Sequence, residues 1–273
     1  NAQWVKIESA FGQPSDEFLI GDFAGYRLVF LPRHGRGHKI PPTEINYRAN
    51  IEALKRAGVD RIVSFSAVGS LREDYKPGDF VIVDQYVDRT FAREKSFFGT
   101  GFVAHVSMAD PVCTTTSEVI TESAKSIKLN VHSGGTYLVM EGPQFSSRAE
   151  SNWYRSIGCD VIGMTNMPEA KLAREAELAY ATVAMVTDYD CWHQDHEDVS
   201  TTSILEVLRN NSTHAKELIK AIVPRLGALQ APFKSGAHES LEHAIATVPE
   251  HRDPELSAKL AVITRRVIDN SGW

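Results

Sequence analysis

Cysteines are few in this sequence, and long apolar runs are absent. Its 273 residues include three widely spaced cysteines, Cys113, Cys159 and Cys191. A sparse, odd-numbered set excludes a disulfide framework and favours reduced thiols in the core. No window approaches ~18 consecutive apolar residues, so neither a membrane-spanning segment nor a membrane partner is predicted. The first residues do not form a basic segment followed by an apolar one, and we expect a cytoplasmic protein.

A surplus of positive charge is also missing. The 29 lysines and arginines are outnumbered by 35 aspartates and glutamates, which gives a formal net charge of −6. We therefore predict no nucleic-acid partner, because binding to phosphate backbones depends on clustered positive charge. His193 and His196 near Asp195 are the most metal-like cluster, but their spacing is not that of a zinc site, and we interpret them as a solvated loop. The sequence predicts neither a metal nor a cofactor.

The residues that are present suit one large globular domain. Hydrophobic residues make up 42 % of the chain and charged residues 23 %, which is ordinary for a globular protein. Strand and helix patterns alternate, which predicts one α/β domain, residues 1–273, with a central sheet. Within it, the polar residues 228–254 are predicted to be a surface segment and 255–268 a C-terminal helix. Strands are predicted at 26–31, 59–66, 80–87, 136–140, 161–164 and 179–186, and other helices at 43–57, 115–129, 168–177 and 200–226.

Side chains that can cap a helix mark two predicted helix starts. Thr115 with Glu118, and Ser147 with Glu150, have the spacing of a capping box, in which a hydroxyl and a carboxylate each satisfy an unpaired backbone N–H. Gly158 is predicted to end the second of these helices, because glycine readily adopts the left-handed conformation that often follows a helix.

The most informative segment follows the apolar run 179–186. Asp188 and Asp190 come directly after it, two residues apart. A strand places alternate side chains on one face, so this spacing predicts that both carboxylates point to the same side. Ligands bind at the carboxyl ends of strands in open α/β sheets. Two carboxylates there suit a flat, nitrogen-rich ring, one as proton donor and one as acceptor from an amine. The alternative is a pair that caps a turn.

Two glycine-containing segments nearer the N-terminus also follow predicted strands. Arg33 and His34 open the segment RHGRGH (33–38), whose glycines let a ligand approach the backbone. Guanidinium, imidazole and amide groups suit an oxyanion such as phosphate, although a solvated basic turn would explain this segment taken alone. Ser66 in SAVGS (66–70) offers a hydroxyl for the same anion, and an ordinary strand exit is the alternative there.

Two later segments repeat the arrangement of strand, loop and helix. In EGPQFSS (141–147), Phe145 can stack on a flat ring and Glu141 can bond sugar hydroxyls. In GMTNMPE (163–169), Met164 has a soft side chain that can line a sugar, and Thr165 has a hydroxyl for an anion. Core packing and helix capping are the alternatives for each. Taken together, these strand-following loops predict a site for a nucleoside and a phosphate.

These segments, in this order, resemble the trimeric class of purine nucleoside phosphorylases, and within it the 5′-methylthioadenosine phosphorylases. The similarity extends from about Phe11 to Leu226. It is carried by RHGRGH (33–38), SAVGSL (66–71), PGDFVIVDQYVDRT (77–90), MEGPQFSSRAES (140–151), GMTNMPEAKLAREAELAY (163–180) and TDYDCW (187–192).

The resemblance implies a fold and a reaction. The fold is a single α/β domain with a central mixed, partly barrel-like sheet flanked by helices. The reaction is the phosphorolysis of 5′-methylthioadenosine to adenine and 5-methylthioribose 1-phosphate, a pentosyl transfer in purine and methionine salvage with inorganic phosphate as co-substrate. Phosphorolysis of other purine nucleosides or of methylthioinosine is the alternative. Relatives that prefer 6-oxopurines typically carry asparagine where Asp188 stands.

The resemblance also implies a role for individual residues in a homotrimer. Asp188 would protonate or hydrogen-bond N7 of the leaving adenine, and His105 would reach the 5′-substituent pocket of a neighbouring subunit. The implied residues are Arg33, His34, Ser66, Ala67 and Thr165 for phosphate; Phe145, Met164, Asp188, Asp190, Thr201, Ile204, Leu205 and His105 for the nucleoside; and Asp188 and Asp190 for catalysis.

One part of the family's pattern is missing. Its members usually begin with an apolar strand that runs into a glycine-rich loop, which gives amides and a hydroxyl to phosphate. This sequence begins Asn1-Ala2-Gln3-Trp4 and has no such motif before Phe11. We expect these residues to omit a leader segment; a chain that truly lacks the loop would instead be a non-catalytic nucleoside-binding protein. A smaller departure is Ser66, where many relatives have threonine and the hydroxyl is kept.

Overall fold

A seven-stranded mixed sheet forms the centre of the molecule. The computed structural model describes residues 2–193, 201–233 and 235–268, and of residues 201–206 it describes the backbone alone. The strands are β1 (Gln3–Val5), β2 (Phe18–Phe23), β3 (Tyr26–Phe30), β4 (Arg61–Ser70), β5 (Phe80–Val83), β6 (Gln85–Arg89), β7 (Val131–Ser133), β8 (Thr136–Met140), β9 (Val161–Gly163) and β10 (Ala179–Asp188). The α-helices are α1 (Tyr47–Arg56), α2 (Thr114–Ser126), α3 (Arg148–Ser156), α4 (Asn166–Glu175), α5 (Thr201–Gly227) and α6 (Pro254–Ile268).

Strand order explains why the large sheet is mixed. The order across it is β6-β8-β9-β4-β10-β5-β7, and β1, β2 and β3 form a separate antiparallel sheet. The central strands β4 and β10 are parallel, while β9 is antiparallel to β4 and β5 is antiparallel to β10. Every residue of β10 except Asp188 is buried. Its uninterrupted apolar sequence therefore reflects burial on both faces of a central strand.

Short connections draw the two edges of this sheet together. Asp84 alone joins β5, near one edge, to β6 at the opposite edge, and Gly134 with Gly135 joins β7 to β8 in the same way. The N–H groups of Asp84 and Gln85 both donate to the Gly135 carbonyl. One or two residues span only a few ångströms, so the sheet must curve into a partly closed barrel. The predicted fold class is confirmed.

The ends of the helices differ in how well local signals predict them. The capping box of α3 is confirmed: the Ser147 hydroxyl accepts from the N–H of Glu150, whose carboxylate accepts from the N–H of Ser147. Gly158 follows α3 with a left-handed φ of 83°, as predicted. The capping box predicted at Thr115 is wrong, because α2 begins after Cys113 and has no side-chain cap.

A predicted strand and a predicted helix are interrupted or shortened in the structure. The predicted strand 80–87 is two strands, since the chain crosses between opposite edges of the sheet at Asp84. The predicted helix 43–57 begins only at Tyr47, where the Asn46 side chain accepts from the N–H of Ala49 and caps α1. In both cases the hydrophobic pattern continues past the point where the element ends. Pairing with distant strands ends the first strand at Asp84, and the Asn46 cap sets the start of α1.

The segment 228–254, predicted to be a surface segment, places several apolar side chains in the core. Phe233, Ala237 and Leu241 are buried. The N–H of Leu241 donates to the Glu177 carboxylate, which also pairs with the Arg266 guanidinium of α6. Glu177, which follows α4, therefore holds both this segment and the last helix in place through its carboxylate.

The thiols of the described chain are free. Cys113 and Cys159 are buried, and Cys191 is half-buried. Burial raises the pKa of Cys159 to about 11 and also raises the pKa of Cys191. A thiol that stays protonated is a poor nucleophile. Among the described residues, no helix is both long and apolar enough to cross a bilayer.

Candidate functional site

Two neighbouring parallel strands end at the predicted acidic residues. β10 ends at Asp188, and β4 beside it ends at Ser70. Asp188 pairs with Gly69 across a bulge that follows Val186. A Cβ atom on Gly69 would lie 3.0 Å from Oδ1 of Asp188 and 3.3 Å from Cβ of Asp190. Glycine at position 69 therefore leaves room for both aspartates at this strand end.

A turn, and not strand periodicity, brings the two aspartates together. Asp190 lies beyond the end of β10 in the left-handed conformation, with a φ of 52°. Its N–H donates to Oδ1 of Asp188 at 2.8 Å, and the Thr187 hydroxyl donates to Oδ2 of Asp188 at 2.6 Å. The two residues are neighbours as predicted, but the argument from alternating side chains is wrong because the strand ends at Asp188.

Burial raises the pKa of both carboxyl groups. Asp190 is 8 % exposed, and desolvation together with the nearby Asp188 charge raises its pKa to about 6. Desolvation also raises the pKa of Asp188, although the donors from Thr187 and Asp190 oppose it. Within the described structure, the buried Oδ2 of Asp190 has no hydrogen-bond partner. The raised pKa values let the two carboxyl groups hold a proton between them, and Oδ2 of Asp190 leaves an acceptor for a ligand.

Asp190→Asn is expected to stabilise the protein increasingly as the pH rises. The folded chain holds the Asp190 proton up to about pH 6, against an ordinary pKa of 3.8. The contribution of this group to stability is therefore present below pH 3.8 and is lost as the pH rises through about 6. Asparagine does not ionise, so the free energy of unfolding of the variant should rise relative to wild type by about 2 kcal/mol between about pH 4.5 and about pH 7.5. Urea unfolding across this range measures it.

Asp74→Asn is the control of opposite sign. Hydrogen bonds from Arg72, including one of 2.8 Å from Nε, lower the pKa of Asp74. Its favourable contribution is present above the unfolded pKa and is lost as the pH falls. This variant should therefore lose stability relative to wild type as the pH rises to about 4, and the difference should stay nearly constant between about pH 4.5 and about pH 7.5. A gain for Asp190→Asn that does not vary with pH would contradict the raised pKa.

The hydroxyls predicted to bind an anion lie next to each other. Ser66 lies inside β4 and not at a strand exit, and its Oγ is 3.2 Å from Oγ1 of Thr165. Both residues are buried. Ala67, between the buried residues Ser66 and Val68, is exposed. Ser66 of β4 and Thr165, which precedes α4, therefore place two buried hydroxyls side by side, next in sequence to the exposed Ala67.

Arg33 is held beside the same strand by buried polar partners. Its guanidinium donates to the Glu169 carboxylate at 2.9 Å and to the Ser64 hydroxyl at 2.8 Å. The Tyr180 hydroxyl donates to the same Glu169 oxygen at 2.8 Å. Sequence reasoning missed Glu169, although it lies in the segment GMTNMPE. A carboxylate in the first turn of a helix is common, and only the fold shows that this one orients Arg33.

His34 is neutral at physiological pH. Burial lowers its pKa to about 4. Its Nδ1–H donates to the Ile40 carbonyl at 2.8 Å, and its ring stacks on His38. These contacts leave Nε2 as the ring nitrogen that can face an anion. In the neutral ring Nε2 is an acceptor, so a hydrogen bond between it and phosphate needs a proton from solvent or from phosphate itself. Arg36, the second arginine of RHGRGH, pairs with Asp16 instead.

Met164 and Phe145, predicted to contact the nucleoside, lie on adjoining loops. A Cβ atom on Gly142 would collide with the Met164 thioether, so the two loops touch there. Phe145 is 60 % exposed and presents an aromatic ring that a flat ligand can stack on.

Glu141, predicted to bond sugar hydroxyls, has both of its carboxylate oxygens in hydrogen bonds with protein donors. Oε1 accepts from the Thr43 hydroxyl at 2.5 Å and from Nε of Arg93 at 3.0 Å, and Oε2 accepts from the N–H of Phe91 at 2.6 Å. Despite desolvation, these donors lower the pKa of Glu141 to about 2. Arg93 is buried and also donates to the Met164 carbonyl at 2.6 Å. This ion pair therefore supports the loop that carries Met164.

The remaining predicted site residues lie apart from this centre or outside the described residues. His105 is exposed, and its N–H donates to the Ala244 carbonyl at 2.8 Å. Across residues 2–193, 201–233 and 235–268, no group of histidine, cysteine and carboxylate side chains is arranged to hold a metal. The side chains of Thr201, Ile204 and Leu205, and the loop residues Asp195 and His196, lie outside the described residues.

Comparison with known proteins identifies the family of this chain. Residues 5–224 match the family described as the phosphorylase superfamily. The S-methyl-5′-thioadenosine phosphorylase of Rhodospirillum rubrum is 57 % identical over 267 residues, which cover 98 % of this chain and 91 % of the relative. The protein of the same name from Cereibacter sphaeroides is 56 % identical over 268 residues, 98 % of this chain and 92 % of the relative.

Solved structures extend the similarity to three dimensions. A methylthioadenosine phosphorylase from an Antarctic soil metagenomic library superimposes with a TM-score of 0.92 at 47 % identity, over 96 % of this chain and 92 % of the other. The methylthioadenosine phosphorylase of Schistosoma mansoni in complex with adenine has a TM-score of 0.82 at 37 % identity, over 89 % of each chain. The family match over most of the chain, and relatives that are similar in both sequence and fold, establish that this chain belongs to the phosphorylase superfamily.

Proposed function

We propose that this chain catalyses the phosphorolysis of 5′-methylthioadenosine to adenine and 5-methylthioribose 1-phosphate. The observation that carries the proposal is that the adjoining hydroxyls of Ser66 and Thr165 lie at strand β4, and that the half-buried Asp188 and the buried Asp190 stand at the end of the adjacent strand β10. The curated relatives named above carry the name of this activity. A variant of the S. mansoni enzyme is in complex with methylthioadenosine.

The phosphate-binding groups hold the nucleophile, which is inorganic phosphate. Arg33, Ser66 and Thr165 hold phosphate beneath the ribose, with His34 and the exposed Ala67 beside them. A phosphate oxygen forms a bond to the anomeric carbon as the bond from that carbon to the purine nitrogen breaks. The negative charge of phosphate stabilises the positive charge that develops on the sugar. Inorganic phosphate is the co-substrate, and this scheme uses no metal or cofactor.

The aspartate pair acts on the leaving base. Adenine departs more easily when N7 receives a proton, because the base then leaves neutral. Asp188 is assigned to N7, and Asp190, whose Oδ2 has no partner in the described structure, is assigned to the exocyclic amine. Burial raises the pKa of both groups, which favours one shared proton. Such a pair can donate to N7 and accept from the amine together.

Turnover of two nucleosides that differ only at position 6 of the base tests the expected preference for a 6-amino over a 6-oxo purine. We expect kcat/KM for 5′-methylthioadenosine to exceed that for methylthioinosine by about 100-fold or more, because a 6-oxo group would face a carboxylate without a donor. A preference for methylthioinosine would support the 6-oxo alternative. Binding of nucleosides without turnover of any of them would support a non-catalytic binding protein.

A homotrimer with shared sites is the second part of the proposal. His105 is exposed in the single chain, which suits a residue that contacts a ligand in a neighbouring subunit. An imidazole can flank the sulfur of the substrate without the cost of burying a permanent charge. The cytoplasmic location stays a prediction.

Mixed trimers of two impaired variants test the shared site. His105→Ala and Asp188→Asn chains, each impaired alone, should recover activity when they assemble together. Recovery is expected because some interfaces then combine an intact His105 with an intact Asp188. Mixed trimers of verified composition that show no more activity than either parent would reject the shared site.

A further inference from the structure

A third hydroxyl lies behind the two hydroxyls of the phosphate site. Oη of Tyr137 is 3.1 Å from Oγ of Ser66, which is in turn 3.2 Å from Oγ1 of Thr165. Tyr137 belongs to β8 and is fully buried. Its sequence context, TYLVM, looks like ordinary core strand, so sequence reasoning did not single it out.

The phenol is confined to this position. A Cβ atom on Gly163 would collide with the Tyr137 hydroxyl, so the absence of a side chain at residue 163 lets the phenol reach Ser66. The ring also packs near that of Tyr86, with 5.9 Å between their centroids. Gly163 lies directly before Met164 and Thr165, so this close approach is built into the strand that leads to the site.

The distance between Tyr137 and Ser66 allows either hydroxyl to donate, and burial favours the phenol as the donor. Desolvation raises the pKa of Tyr137, so the phenol keeps its proton, and a buried O–H group needs an acceptor. Oγ of Ser66 lies in reach as that acceptor. A serine hydroxyl has one proton. When Ser66 accepts from Tyr137, its own proton must point away from the phenol, toward Thr165 or toward a bound anion.

We propose that Tyr137 is a positioning residue of the phosphate site, whose hydroxyl turns the Ser66 hydroxyl into a donor aimed at phosphate. The inference rests on the proposed function, because it concerns the same anion. A hydroxyl that accepts one hydrogen bond becomes a stronger donor in the next. Tyr137 therefore acts through Ser66 and need not touch phosphate.

Tyr137→Phe tests the inference, because it removes the hydroxyl and keeps the ring. The KM for phosphate should rise about 3- to 10-fold, the effect of one weakened hydrogen bond. The KM for 5′-methylthioadenosine at saturating phosphate should change less than about 2-fold. Tyr86→Phe is the matched control: it removes a hydroxyl that bonds Thr182 at 2.6 Å, next to the same ring, and should leave the KM for phosphate unchanged.

Calorimetric titration with inorganic phosphate separates this inference from the proposed function. Weaker phosphate binding by Tyr137→Phe than by wild type supports the inference even if wild type does not cleave 5′-methylthioadenosine. Equal phosphate affinities overturn it, and so does an equal loss for phosphate and nucleoside, which indicates a general packing defect. A wild-type protein that binds no phosphate contradicts both proposals.

Discussion

Asp188→Asn should lower kcat/KM for 5′-methylthioadenosine by about 10- to 100-fold. Loss of a hydrogen bond to a charged group in the transition state costs roughly 1.5–3 kcal/mol. The asparagine amide can give N7 a hydrogen bond but cannot give it an acidic proton. The same amide can pair with a carbonyl, so turnover of the 6-oxo nucleoside should rise relative to that of the 6-amino one. Steady-state kinetics with both nucleosides at saturating phosphate measures this change.

The structure indicates that this variant will fold. Asparagine keeps an oxygen for the N–H of Asp190, which now donates to Oδ1 of Asp188. The Thr187 hydroxyl, which donates to Oδ2, also reaches the Val68 carbonyl at 3.2 Å and can turn to it. Thermal unfolding of the variant is the control. Unchanged turnover of 5′-methylthioadenosine in a folded variant would sink the assignment of Asp188 as the acid.

Arg33→Ala should raise the KM for phosphate about 100-fold or more and weaken nucleoside binding far less. Hydrogen bonds between arginine and phosphate are charge-assisted and among the strongest in proteins, and the contacts of Arg33 are with Glu169 and β4 rather than with the aspartate pair. Separate calorimetric titrations with phosphate and with the nucleoside measure the two affinities. Equal losses for both ligands would indicate a folding defect.

The ion pair with Glu169 makes a second variant necessary. The side chains of Arg33 and Glu169 are 14 % and 10 % exposed, so alanine leaves a buried carboxylate unpaired, at a cost of roughly 3–5 kcal/mol in stability. Arg33→Lys keeps the charge opposite Glu169 but loses the planar fork. It should therefore be more stable than the alanine variant and still require more phosphate than wild type. Normal phosphate affinity in Arg33→Lys would mean that charge alone suffices there.

Local signals predicted the elements that local interactions determine. Ser147 and Glu150 define the start of α3 through contacts within one turn, and the apolar run of β10 reflects burial on both faces. The strand break at Asp84 could not be predicted in this way. It arises because β5 and β6 pair at opposite edges of a sheet that curves back on itself, and only the pairing of distant strands specifies that.

In the candidate site, too, local sequence predicted some residues, and others are revealed only by contacts between distant parts of the chain. Sequence motifs drew attention to Asp188, Ser66 and Arg33, because each lies at or just after the end of a predicted strand, where ligands bind in α/β sheets. The supporting groups Glu169 and Tyr137 were missed. Their hydrogen bonds join them to residues that lie 136 and 71 positions away, and nothing in their local sequence distinguishes them from helix and strand residues. Supporting residues of this kind become visible only when the strands are assembled.

Phosphorus NMR of the protein with 5′-methylthioadenosine and inorganic phosphate tests the central claim most directly. The signal of inorganic phosphate should fall as that of a sugar 1-phosphate ester appears, with one adenine released for each phosphate consumed. No adenine should form when phosphate is omitted. Adenine release without consumption of phosphate would indicate hydrolysis, and would contradict a site in which Ser66, Thr165 and Arg33 deliver phosphate to the sugar.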